Sequence, residues 1–135
     1  MPLQWQESMS VGVAEFDSDH QRLLGLAQKT VGALAEGSQE RARELMNSLL
    51  VFAADHAARE EAYLRRIGYP QVDRVAAVQR DAISRVAALK NTDPEEAGRQ
   101  IAALEDAFVA YLLRADINYK SFVESAGLSH TRRRP

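Results

Sequence analysis

The sequence predicts an all-α protein, an antiparallel up-down-up-down four-helix bundle with an N-terminal extended arm. Three observations predict it. Apolar residues recur at three-and-four spacing through four long stretches; glycine and proline gather mostly between them; no stretch alternates strictly as a half-buried strand would. A chain of 135 residues suits one domain over 1–135 with a single substantial core. Within it, residues 1–16 read as the arm and 126–135 as a flexible tail.

The first helix is expected from about Ser18 to Glu36, with Leu23, Leu24, Ala27, Val31 and Leu34 on one stripe and Asp17 or Ser18 as its cap. Gly37-Ser38 ends it. The second runs from about Gln39 to Ile67 and turns Leu45, Leu49, Phe52, Ala53, His56 and Glu60 inward, until Gly68-Tyr69-Pro70 stops it. The third spans about Gln71 to Leu89, carrying Val72, Val75, Ala76, Gln79, Ile83 and Val86. The fourth opens at Asp93-Pro94-Glu95-Glu96, with a capping aspartate, proline at the first helical position and glutamate three after the cap. It continues through Ile101, Leu104, Phe108, Tyr111, Leu112 and Phe122, with a break expected before its end. Short connections between helices make sequential neighbours antiparallel.

Composition narrows the function. With no cysteine, disulfides, thiolate metal sites and thiol nucleophiles are excluded. A net charge of −2 gives no overall attraction for nucleic acid, and Arg132-Arg133-Arg134 reads as a solvated end. No apolar run approaches the ~20 residues of a membrane span, and the N-terminus has no secretory pattern, so a cytoplasmic location and no membrane partner are expected. No substrate cleft or second acid–base pair is legible, so an enzyme is not the expectation, and no protein partner can be named.

What chemistry the chain carries centres on His56 and Glu60. Four apart on one helix, they share a face one turn apart, where an imidazole and a carboxylate can grip one divalent ion. His20 and His56 lie at nearly equal sequence distances either side of the Gly37 turn, which brings them level in an antiparallel pair. The same reasoning about the later turns collects His20, His56, Glu60, Val75, Gln79, Tyr111 and Asp116 in one layer of the bundle. The bland alternative is a hydrogen-bonded core histidine, Glu60 paired with Arg59 or Arg65, and Asp116 paired with Arg114 or Lys120. Against it, two of only three histidines fall level with an inward carboxylate, and buried charges are costly unless paired or bound to metal. The third, His130, reads as solvated.

Several motifs together resemble the hemerythrin family, in particular single-domain bacterial hemerythrins. Trp5, Ser10-Val11-Gly12-Val13 and Glu15-Phe16-Asp17-Ser18-Asp19-His20 resemble the family's N-terminal signature, which ends in its first ligand histidine. Asp55 to Glu61 resembles its second-helix motif, Gly68-Tyr69-Pro70 its following turn, and Asp116-Ile117-Asn118-Tyr119 its C-terminal aspartate motif. The likeness covers nearly the whole chain, in the right order and spacing.

That resemblance implies two irons held by five histidines with a bridging glutamate and aspartate. Three of the histidine positions are matched here by Val75, Gln79 and Tyr111, and all three losses fall on one iron. The other half, matching His20, His56, Glu60 and Asp116, is complete. The expected cofactor is therefore one metal ion, iron before manganese or zinc, on two imidazoles and two carboxylates. Val75 is expected to make the vacated side apolar, and Gln79 to hydrogen-bond a metal-bound water. For Tyr111 the options are a hydrogen bond to such solvent or to the freed oxygen of Glu60 or Asp116, or ligation of a ferric ion as phenolate.

The resemblance implies oxygen carriage that draws one electron from each of two irons, which a lone iron cannot supply. The expectation is thus a mononuclear, non-haem metal-binding protein that binds or senses a small diatomic ligand such as dioxygen or nitric oxide. Two alternatives stand beside it: a di-iron oxygen-binding protein with Tyr111 and Gln79 as substitute ligands, and a metal-free regulatory or interaction bundle.

Overall fold

The computed structural model describes residues 5–115 and 119–125. They form four long helices: α1 (Ala14–Ala35), α2 (Gln39–Arg66), α3 (Val72–Ala87) and α4 (Pro94–Ala115), followed by a short α5 (Ser121–Ser125). One-turn 3₁₀ segments occur at Glu7–Met9, in the arm, and at Ala88–Asn91, after α3. No strand is present among the described residues. The fold is an all-α four-helix bundle. Asp116 and the 126–135 tail, with His130 and its arginines, lie outside the described residues.

Two helix ends share one mechanism. Gly37 and Gly68 have φ of +78° and +75°, the left-handed region that glycine enters without a Cβ penalty. At the first, the Ser38 amide bonds the Ala33 carbonyl and the Gly37 amide that of Leu34. At the second, Tyr69 bonds Leu64 and Gly68 bonds Arg65 in the same pattern. Both are Schellman caps, which satisfy the orphan carbonyls of a helix end. Tyr69 and Leu64 also bury their side chains in one cluster, the apolar contact that accompanies such a cap. The start of α4 is capped as its sequence predicts, the Glu96 amide donating to Asp93 Oδ2 at 3.2 Å.

The start of α1 differs from the sequence expectation. It begins at Ala14, inside the segment expected to be arm, and neither Asp17 nor Ser18 is its cap; Val13 flanks the helix with no side-chain cap bond. Phe16, buried in the core, and Asp17 already sit in its first turn. Asp17 Oδ1 accepts from the Val11 amide at 2.8 Å and Oδ2 from the Ser10 hydroxyl at 2.6 Å. This carboxylate fastens the arm back onto the helix. Its position near the positive end of the helix dipole favours the same arrangement.

The core is in two parts. Near the arm, Met9, Val11, Phe16, Leu64, Val75 and Tyr119 pack together; toward the opposite end, Met46, Leu49, Val86, Leu89, Ala97 and Ile101 do so. Helix α1 packs against α2 and α4, and α2 against α3, whereas the backbones of α3 and α4 scarcely approach each other. That seam of the bundle is loose. Among the described residues no helix is long and apolar enough to cross a membrane.

Candidate metal centre

Between the two cores, α1 and α2 bring three polar side chains together. His20, His56 and Glu60 are each 2 % exposed, among the deepest polar groups described. His20 and His56 face each other, as the equal spacing from the Gly37 turn requires, with their Nε2 atoms 3.2 Å apart. Glu60 Oε1 lies 2.9 Å from His56 Nε2 and 4.0 Å from His20 Nε2. Phe16 stands edge-on to His56 and Phe108 edge-on to His20, which fixes both rings in apolar surroundings.

Behind these groups sits a supporting layer that the sequence reading did not assign. Asp19 Oδ2 lies 2.8 Å from His56 Nδ1 and 2.9 Å from Arg59 Nη1. Arg59 also pairs with the exposed Glu15 and Asp55, so one guanidinium joins the buried Asp19 to two surface carboxylates. Being next to His20 on α1, Asp19 points about 100° round the helix from it, toward α2. Its adjacency to a candidate ligand was the only sequence signal.

Glu60 has no arginine partner among the described residues. Arg59 is engaged as above, and Arg65 pairs with Glu61 and Asp73. Instead Gln79 Nε2 donates to Glu60 Oε1, and the Tyr119 hydroxyl donates to Glu60 Oε2 at 2.6 Å. The expected roles of Gln79 and Tyr111 toward metal-bound solvent concern groups outside this structure; what it shows is the bonding of Glu60 itself. It is Tyr119, carried by the chain after α4, that bonds the second oxygen of Glu60, and Gln79 bonds the carboxylate directly. Tyr111 lines the adjoining cavity. Val75 is buried in the same apolar cluster as Tyr69 and Tyr119.

Electrostatics distinguish the two imidazoles in the metal-free chain. Burial lowers the pKa of His20 to about 4, so it is neutral near pH 7. His56 is also penalised by burial, but its hydrogen bonds to Glu60 and Asp19 outweigh that and raise its pKa. Burial alone would raise Glu60; the hydrogen bond with His56 and the other favourable contacts bring it down to about 2. Tyr119 is raised well above its ordinary value by burial and by the Glu60 charge, so it remains a donor.

Residues 11–118 match the family model described as the hemerythrin HHE cation binding domain. The chain belongs to the hemerythrin family. Among curated proteins no sequence matches it. A hemerythrin domain is a cation-binding helical domain, and the donor set here fits that role on its own geometry. Two donors about 2.1 Å from one ion are separated by roughly 2.9 to 4.2 Å, depending on the angle between them. The three donor separations, 2.9, 3.2 and 4.0 Å, fall in that range. Asp19 keeps the proton on His56 Nδ1 and leaves Nε2 to face a cation, the carboxylate–histidine pairing usual behind metal ligands. His20 Nδ1, by contrast, is buried without a hydrogen-bond partner among the described residues.

Proposed function

We propose that this hemerythrin holds a single metal ion, iron in the cell, on His20, His56, Glu60 and Asp116, and uses it to bind a small diatomic ligand such as dioxygen or nitric oxide in the cytoplasm. Asp116 enters from the family resemblance, since it lies outside the described residues. The observation that carries the reading is the state of Glu60. One oxygen faces both imidazoles, and the other accepts the Tyr119 hydroxyl, in a surrounding where Val75 is core. A carboxylate so placed serves one ion at Oε1.

Once bound, the ion would supply coordination chemistry at whatever positions the protein donors leave free. The chain's own residues supply the rest. Asp19, held by Arg59, orients the His56 ring, and Gln79 and Tyr119 hold the Glu60 carboxylate. Phe16 and Phe108 limit water around the imidazoles. Anaerobic loading with ferrous ion, followed by nitric oxide, tests the reading: one iron per chain and the spin signal of a mononuclear iron nitrosyl support it. A strongly coupled pair of irons, or no uptake, contradicts it.

A further inference from the structure

The loose seam between α3 and α4 opens into the bundle. A cavity of about 130 Å³ runs inward from it, walled by Leu24, Leu49, Ala53, Ala82, Ile83 and Leu104 and drawing on all four long helices. It runs along the second core cluster, whose Leu49, Val86 and Ile101 line it, and reaches His20, His56 and Glu60, with Gln79 and Tyr111 beside them. On α4 its lining extends from Tyr111 to Ile101, about 15 Å at 1.5 Å per residue. The space is long and narrow. Val78, at 40 % exposed, forms part of its wall and so places one side of it at the surface.

We infer that this cleft is a binding site for a neutral, elongated aliphatic molecule of roughly six carbons, lying along the bundle with its one polar end at Gln79 and Tyr111. Size and shape select the chain: an engineered apolar cavity of about 150 Å³ is filled by benzene or xenon, and this one is of similar volume but drawn out. Charge disfavours an anionic molecule. The α4 wall of the cleft holds Glu105, whose Oε2 accepts from Gln28 Nε2 at 2.7 Å, and an anion lying along the cleft would meet that carboxylate. A hydroxyl or carbonyl would meet the amide of Gln79 and the phenol of Tyr111. The site extends beyond anything a diatomic ligand needs, since Leu49 and Ile101 lie two or more turns from the imidazoles.

Calorimetric titration of the purified chain with 1-hexanol, and in parallel with hexanoate, tests the inference. Saturable, submillimolar binding of the alcohol is expected, with the carboxylate at least tenfold weaker in the chelated chain, where no cation can hold it. Ala82→Leu fills the cleft from α3 and Ala53→Leu fills it from α2; each should weaken the alcohol at least tenfold without lowering the melting temperature or the metal content. No saturable binding of the alcohol would overturn the site, as would equal binding to a folded filled variant. Equal binding of hexanoate to the chelated chain would overturn the neutral class. The titration is repeated after chelation, where binding should persist. Metal content is measured separately, so a failure of the single-metal reading would appear there and not in the hexanol isotherm.

Discussion

The Tyr119 hydroxyl donates to Glu60 Oε2 at 2.6 Å, joining the chain after α4 to the buried carboxylate of α2. Both residues are almost fully buried, so this bond has no water to replace it. Tyr119→Phe would keep the ring packed against Tyr69 and leave the oxygen unsatisfied. A loss of about 1–3 kcal/mol in the metal-free chain is expected, read by urea unfolding. A change below the error of the measurement would mean that Glu60 finds another donor.

Asp19 tests the supporting layer. Asp19→Ala removes the acceptor on His56 Nδ1 and frees the ring to turn. Losing such a partner typically weakens metal binding about 10–100-fold. A competition titration against a chelator of known affinity measures it. An unchanged affinity would show that Phe16 and the helix alone orient His56.

Acid should destabilise the metal-free chain in a defined window. His20 has its pKa lowered to about 4 from 6.5, so unfolded chains take up a proton there between those values while folded chains do not. Stability is therefore full above pH 6.5 and falls as pH drops toward 4, by on the order of 3 kcal/mol from this group. The raised pKa of His56 works in the other direction. Its contribution is complete below 6.5 and declines as pH rises through its folded value. Urea midpoints measured from pH 4 to 8 should peak near 6.5, and His20→Gln should flatten the acid side.

Metal binding should follow pH through His56. A cation at Nε2 displaces the proton that the raised pKa retains there, so affinity is expected to fall about tenfold per pH unit below that pKa. Loading at a hundredfold excess over the dissociation constant should stabilise the fold by about 2.7 kcal/mol, visible as a higher melting temperature. A melting temperature indifferent to every divalent metal would count against a buried site.

Much of the fold was legible because its signals are local. Gly37 and Gly68 mark two helix ends and Asp93-Pro94 the start of α4; each is a backbone requirement written in one or two residues. The meeting of His20 with His56 was also legible, since the turn between them fixes their height and the apolar stripes fix the facing side. The start of α1 was not. Its first turn is held by contacts of Phe16 and Asp17 with the arm, whereas the periodic pattern begins only at Leu23. Asp19 and Tyr119 were missed for a similar reason. Each acts through a neighbour brought near by tertiary packing, and neither lies on a stripe that periodicity reveals.

The most direct test of the single-ion reading is the metal content per chain of freshly purified protein, by elemental mass spectrometry, with His56→Ala alongside. One equivalent, lost in the variant, is the expected result. Two equivalents in the parent chain, or none even after anaerobic reconstitution, would contradict it.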